Sequence, residues 1–467
     1  MIEQKVFEFI DARADEMIND ISKLVEIPSI KGESKIDAPF GEEPKRALKM
    51  ALEICRSYGF SVKNIENAIG YADMNENSLG LGILAHADVV PVGDGWESDP
   101  FKISVRDGKM FGRGTSDDKG PMMAALMAMR AIKECGIELT KNARLIIGSD
   151  EECGSGDLKY YFGSEETPPY SFSPDAEFPL INTEKGRFAP YFYRYVGDES
   201  NVIPRITYFD SGVAVNAVPN IAKFRVKGYD RDRLINICKI IGQKFNIIFE
   251  TENNDDECTI SANGIAAHAS LPEMGNNALT ASLELIKELK LPECGSNSAF
   301  CGLNKLFPHN DFYGNAMGLE MEDRISGKLT LTFDVLKYDG KKIEGYFDSR
   351  MPLAANDENL IIPIKEKLND IGFSTDDLSY TPVHHVDENS PFIQTLLSAY
   401  ERHTGKKGEC VAIGGGTYVH EIENGVAFGA IMPDCNTHMH GTNEFMPIKD
   451  LITAAKIYAD VIIKLCK

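Results

Sequence analysis

Nothing in this sequence approaches the roughly 20 consecutive apolar residues that a membrane-spanning helix needs, so a membrane helix is excluded. The opening segment, MIEQKVFEFI, carries acidic side chains and no long apolar stretch, and a secretory leader is not expected. The ten cysteines are scattered without a CxxC pair, which reads as reduced thiols in a cytoplasmic protein. Cys153, beside an acidic pair, and Cys435, near the late histidines, are read as small buried fillers. Basic residues are also in short supply. Lys and Arg number 49 against 71 Asp and Glu, and the resulting net charge of -22 repels nucleic acid and anionic lipid at long range. No basic stripe interleaved with aromatics offsets that balance. A GxGxxG dinucleotide fingerprint following a suitable strand is missing, and Gly112-Arg113-Gly114 does not fit a phosphate-binding loop. No fixed-period repeat or low-complexity linker is present.

What remains is an ordinary globular composition, 43% apolar and 26% charged, in a chain of 467 residues that is too long for one average core. Residues 4 to 25 have helical spacing that ends before Pro28, and EEPKRALKMALEICRSYGF predicts a second helix closing near Gly59. LGLGILAHADVV predicts a buried strand running into a loop, and KISVRDGKMFGRG a hairpin turning at Asp107-Gly108. Pro121 is placed to open the helix PMMAALMAMRAIKEC, after which ARLIIGS reads as another short buried strand. Strands followed by helices predict an α/β layer in the first third of the chain. The middle alternates instead: RFAPYFYRYVG, RITYFDSG, AKFRVKGY and a hairpin turning at Asp339-Gly340 read as antiparallel strands. RLINICKIIGQKFNIIF and NALTASLELIKELK read as helices among them. The expected organisation is a discontinuous first domain, residues 1–184 and 387–467, interrupted by an inserted region of one or two α+β modules over residues 185–386. PFIQTLLSAYERHTG and LITAAKIYADVIIKL supply the closing helices.

The candidate functional side chains gather where predicted strands end, the position that ligand sites favour in such sheets. His86 and Asp88 follow the first buried strand, and Glu151-Glu152 follow the second. Asp117 lies in GRGTSDDKGP, Asp175 in FSPDAEF and His440 in HMHGTNE. Imidazole nitrogen and carboxylate oxygen are zinc ligands. His86, Asp117, Glu152, Asp175 and His440 make five such groups. Two ions with three protein bonds each need six, so one carboxylate must serve both. Paired ions can polarise a carbonyl and activate water between them, and a carboxylate that is not a ligand must then move protons. Glu151 is free to point elsewhere than Glu152, and Asp88 is close enough to brace His86. Paired acids directly after an apolar strand are costly unless hydrogen bonds or metal satisfy them. Spacing alone does not choose between His438 and His440.

Taken in order, HxDVVPxGxGW, GRGxxDDKGP, DEE, SPDAEFP and a final HxxNE resemble the M20 metallopeptidase family, and its dipeptidase V-type branch in particular. The resemblance spans essentially the whole chain and implies that the first domain is an α/β catalytic domain with a mixed sheet flanked by helices and that the inserted α+β region is its lid. It implies one zinc on His86, Asp117 and Asp175 and a second on Asp117, Glu152 and His440, with Asp117 bridging. It implies Glu151 as general base and then proton donor, Asp88 as the group that orients His86, and a cis bond between Asp117 and Asp118.

A second set of residues carries the same likeness. GIAAHASLPEMGNNA resembles the lid segment whose histidine stabilises the oxyanion, here His268. VAVNAVP places Asn216 at a substrate-contact position, FDSRMP places Arg350 where a substrate carboxylate binds, and IGGGTY offers Gly414, Gly415 and Gly416 as a substrate-side loop. An arginine fork suits a terminal carboxylate. The activity implied is that of a zinc-dependent dipeptidase acting on unblocked dipeptides, with two zinc ions per subunit and manganese or cobalt as possible substitutes. The branch implies a monomer. A related N-acyl-amino-acid amidohydrolase needs the same metals and proton shuttle, and a metal-binding sensor needs the ligands alone.

Overall fold

The chain divides into two compact units: one comprises the sequence up to Thr183 with His384–Val411 and Gly416–Lys467, the other Glu184–Val383 with Ala412–Gly415. The computed structural model describes residues 2–467. Among these, no helix is long and apolar enough to cross a membrane.

The first unit opens with helices α1 (Ile2–Ala12), α2 (Ala14–Val25) and α3 (Glu42–Ser57). The helical stretch expected over residues 4 to 25 is thus broken at Arg13, whose backbone leaves the helical region. Strands β1 (Ser61–Ile65), β2 (Ile69–Asp73) and β3 (Leu79–His86) follow, then a hairpin of β4 (Ser104–Arg106) and β5 (Lys109–Phe111). Helix α4 (Lys119–Glu134) leads to β6 (Asn142–Gly148), and β7 (Ser171–Ser173) comes later. The main sheet runs β1-β2-β6-β3-β7 and continues through Gly425–Ala427 and Leu180–Glu184. β3 pairs in parallel with β6 and β7, while β1, β2 and β6 pair antiparallel. This is the mixed sheet expected from the sequence. β3 is buried from Gly80 to His86, and its sequence therefore shows no polar alternation. Helix α4 is apolar nearly all round and accordingly buried along most of its length, against the final helix Ile448–Cys466 and against α1 and α2. It begins at Lys119, two residues before the expected start. Pro121 still falls in the first turn, where its missing N–H costs no helical hydrogen bond.

The second unit is built on one antiparallel sheet in the order Gly186–Phe188, Lys342–Met351, Thr330–Tyr338, Arg205–Ser211, Ile221–Lys227, Glu257–Asn263, Ile248–Asn254. Phe188, Phe192, Phe209, Phe224, Phe333 and Phe347 fill its core with the helices Ala278–Leu289 and Gly295–Leu306. The hairpin expected at Asp339-Gly340 is present. Two expectations need correction. The apolar run RLINICKIIGQKFNIIF is not all helix: the helix covers Arg231–Phe245, and Ile248 opens the edge strand. Asn246 ends the helix in the left-handed conformation, with φ 53°, which asparagine tolerates better than most side chains. The helices Gly295–Leu306 and Ile362–Asp370 were not expected.

Candidate metal centre

His86 closes β3 and Gly148 closes β6, and the two are register partners on parallel strands. The imidazole and the turn that starts at Asp150 therefore leave the sheet at the same, carboxyl end. β7 stops at Ser173, two residues before Asp175. Asp117 precedes α4, and Asp118 occupies the cap position of that helix. The Asp117–Asp118 peptide is cis.

Two trios of donor atoms result, and they share Asp117. His86 Nε2 stands 3.1 Å from Asp117 Oδ1 and 3.4 Å from Asp175 Oδ2. His440 Nε2 stands 2.8 Å from Asp117 Oδ2 and 3.2 Å from Glu152 Oε2. Ligand atoms around one tetrahedral ion at about 2.0–2.1 Å are separated by about 3.3 Å, so these spacings suit donors that share cations. Glu151 is also within reach: His86, Glu151 and Asp175 form one group of donor atoms within 4.8 Å of one another, and His86, Asp117 and Glu152 form another. His438, the rival of His440, packs its ring on Phe445 instead.

The other ring nitrogen of His86 supports the same reading. Nδ1 lies 3.1 Å from the Asp88 carbonyl oxygen and 3.4 Å from Asp88 Oδ1. Both are acceptors, so Nδ1 carries a hydrogen and the Nε2 lone pair faces Asp117. His86 Nε2 and Asp117 Oδ1 are buried without a hydrogen-bond partner. Two acceptors that close require a cation or a proton between them. Without a cation, protons fill that role. Burial pulls the His86 imidazole down, but Asp117, Asp175 and Asp88 together hold it well above its usual value. Asp117 and then Glu152 raise His440 to about 11. Burial, with the charge of Asp117, pushes Glu152 up to about 7. Burial likewise raises Asp175 and lifts Glu151 well above the carboxylate range. Asp117 goes the other way, because His440 and His86 more than reverse the effect of its burial. The donor set and its orphaned buried atoms fit a pair of divalent cations.

Asp88 does more than face His86. Its carboxylate also accepts the N–H groups of Glu151 and Glu152, each at 3.3 Å, and so joins the end of β3 to the turn after β6. Residues that sequence reasoning passed over extend this bracing. Asp118 accepts the His86 N–H at 3.0 Å. Asp157 accepts the N–H groups of Ser149 at 2.6 Å and Asp150 at 3.0 Å and the Tyr418 hydroxyl at 2.6 Å. The buried Tyr418 ring stands edge-on to His86. Only the adjacency of Asp118 to Asp117, and of Tyr418 to the glycine run, could have drawn attention to them; nothing in the spacing marks Asp157. The cysteines correct an expectation: Cys153 is exposed and Cys435 half-buried, so neither is a buried filler.

The remaining candidates belong to the second unit, apart from Gly416, and are described within it. Ala217 and His268 are register partners in a short two-stranded pairing, and Asn216 accepts the Ala269 N–H through its backbone oxygen at 2.9 Å. His268 Nδ1 lies 2.7 Å from the Ser270 hydroxyl oxygen, and the Ser270 N–H donates to it at 3.2 Å. Arg350 is buried, with Nε 2.6 Å from Asp348 Oδ1 and Nη2 3.2 Å from Asp348 Oδ2, while Nη1 donates to the Gly414 carbonyl. Of five guanidinium hydrogens, one on each terminal nitrogen is left over. Gly414 must lack a side chain, since a Cβ there would come within 2.5 Å of Ser270 Cβ. Gly415 is half-buried and Gly416 exposed.

Comparison with known proteins shows which family the chain belongs to. A relative from Staphylococcus epidermidis named "Putative dipeptidase" is 34% identical, with 100% of this chain and 99% of that protein covered. "Putative dipeptidase YtjP" of Bacillus subtilis is 32% identical, over 97% of this chain and 98% of its own. Among solved structures, human carnosine dipeptidase 1 superposes with a TM-score of 0.58 at 15% identity, covering 100% of this chain and 99% of that one. The dipeptidase Dug1p of Saccharomyces cerevisiae gives a TM-score of 0.58 at 14% identity, covering 99% and 98%. At those identities the structural likeness bears on the fold alone. The pattern of peptidase family M20/M25/M40 matches residues 82–464, and the chain belongs to that family.

Proposed function

We propose that this protein is a zinc-dependent dipeptidase that hydrolyses unblocked dipeptides, with Glu151 as the group that moves the proton. The observation that carries this reading is the division of Asp117, one oxygen toward His86 and the other toward His440. His86, Asp117 and Asp175 would hold one ion, and Asp117, Glu152 and His440 the other. Two imidazoles with carboxylates suit zinc, and manganese or cobalt accept the same atoms. When bound, such a pair polarises a carbonyl and lowers the pKa of water.

The chain's own groups do the rest. Glu151 takes a proton from the attacking water and returns it to the leaving amine. Burial raises the Glu151 carboxyl, which makes it a better acceptor of the water's proton than a solvated carboxylate. Asp88 holds the His86 ring by Nδ1. The two spare hydrogens of Arg350 match a terminal carboxylate, which two parallel hydrogen bonds would clamp. His268 would donate from Nε2 to the carbonyl oxygen as negative charge develops there. Asn216 and the backbone of Gly414, Gly415 and Gly416 supply further polar contacts to a peptide. The names carried by the relatives at 34% and 32% identity support a dipeptide substrate.

The test is the Glu151→Ala variant, assayed with its metal content measured alongside. Turnover of Ala-Ala should fall by about 10²–10⁴-fold while the metal content stays that of the parent; near-normal turnover would remove Glu151 from the role. Comparing Ala-Ala with N-acetyl-Ala on the parent enzyme fixes the substrate end. Preference for the acetylated compound transfers the protein to the N-acyl-amino-acid amidohydrolases, and metal uptake with hydrolysis of neither makes it a sensor.

A further inference from the structure

Arg113 and Glu444 form an ion pair at 2.7 Å that the proposed reaction does not use. Their side chains are 1% and 0% exposed. A buried pair is a poor device for stability alone, because desolvation offsets much of the attraction. What these two side chains touch is more specific. The Glu444 carboxylate accepts the Gly114 N–H at 3.1 Å, the Ser116 N–H at 2.9 Å and the Ser116 hydroxyl at 3.0 Å. Its backbone oxygen accepts the Gly112 N–H at 3.0 Å. All of these donors lie in the five residues before Asp117. Arg113 Nη2 donates to the carbonyls of Pro91 at 3.2 Å, His440 at 3.4 Å and Gly441 at 3.1 Å. The pair thus fastens three segments: the turn that follows His86 and Asp88, the loop that ends in Asp117, and the loop that carries His440.

The last of these needs an external hold. His438, His440 and Asn443 all have φ between 57° and 61°. That left-handed region disfavours the two histidines in particular, so the loop would relax without an anchor. Arg113 bonds directly to the His440 carbonyl, and its planar fork puts Glu444 on one terminal nitrogen and the carbonyls on the other, whereas an ammonium offers three donors at a single point.

We infer that the Arg113–Glu444 pair is a positioning element: it sets the two oxygens of Asp117 between His86 and His440 and thereby governs how tightly the cation on the His440 side is held. The inference rests on the two-cation reading above. Both side chains are closed to solvent, so they act through Asp117 and His440.

The experiment titrates chelator-stripped, full-length protein with Zn²⁺ against a chromophoric competing chelator. It uses the parent, Glu444→Gln, Arg113→Lys and, to identify the His440-side equivalent by its loss, His440→Ala. Arg144→Lys loosens a different pair of the same unit, Arg144 with Asp73 on β6 and β2, and controls for general destabilisation. Unfolding midpoints of the stripped proteins are measured in parallel. The parent should take up two equivalents; fewer would defeat the two-cation reading itself, whatever the variants do. Arg113→Lys and Glu444→Gln should weaken the His440-side equivalent about 10- to 100-fold, the range seen when groups supporting metal ligands are removed. The other equivalent should weaken less, and Arg144→Lys should leave the gap between the two constants unchanged. Should Glu444→Gln fail to fold, Arg113→Lys decides alone. Unchanged constants in Arg113→Lys, or an equal widening of the gap in Arg144→Lys, would overturn the inference.

Discussion

At the scale of single residues, the stripped centre stores protons where the filled one stores charge. His440 holds a proton up to about pH 11 and Glu152 up to about 7, yet both must be deprotonated to bind a cation. The sign follows directly. Metal affinity falls as pH falls, because protons compete for the same atoms. The slope of the logarithm of affinity against pH should be at least one near pH 8, from His440, and should steepen below about pH 7 as Glu152 also holds its proton. Calorimetry of metal binding in buffers of different ionisation enthalpy counts the protons released; an enthalpy that ignores the buffer would contradict the scheme. Asp88 is the second residue-scale case. It is buried, faces His86 and accepts two N–H groups of the Glu151 turn. Asp88→Ala should lower metal affinity about 10- to 100-fold and leave the two N–H groups unpaired. Measured affinities equal to the parent's would show that Asp88 does not hold the ring.

At the scale of elements, the placement of the centre depends on strands that end together and on glycines where nothing larger fits. Gly148 closes β6, and a Cβ there would lie 1.9 Å from the Tyr418 hydroxyl oxygen and 2.4 Å from Asp157 Oδ2. Gly148→Ala should displace both side chains, destabilise the stripped protein by roughly 1–3 kcal/mol and weaken metal binding through the loss of packing on His86. Chemical denaturation and metal titration would read the two effects separately, and a parental midpoint would show that the neighbours can give way. The buried strands were legible because runs of apolar or small residues, LGLGILA in β3 and LIIG in β6, suit a doubly covered strand. The edge strand Ile248–Asn254 was not, because its first residues continue the apolar run of the preceding helix and only Asn246 turns the chain. Asn246→Gly should therefore stabilise the protein by up to about 1 kcal/mol, by relieving the left-handed conformation, and Asn246→Val should destabilise it. A reversed order in equilibrium unfolding would contradict that account of the helix end.

At the scale of the whole chain, the net charge of -22 draws cations at a distance. Raising ionic strength from 0.01 to 0.15 M shortens the screening length from about 30 to about 8 Å. Association of a divalent cation with the stripped protein should slow accordingly in stopped-flow measurements, and a rate indifferent to salt would show that only local charges matter. The sequence by itself determined the class of the molecule: the lack of long apolar runs, basic stripes and cysteine arrays, the alternation of strand and helix, and the presence of imidazole and carboxylate donors after apolar strands. Those features are written in residue type and local period, which neighbours in the chain can read. Tertiary structure alone decided that Asp117 turns one oxygen to His86 and the other to His440, that Asp157 backs the acidic turn, and that Glu444 reaches across 328 positions to Ser116. Among 71 acidic side chains, local motifs mark the donors themselves, but nothing in the spacing sets Asp157 apart from the acids that face water. That choice is made by burial, where an unpaired charge costs several kcal/mol and only closely matched partners persist.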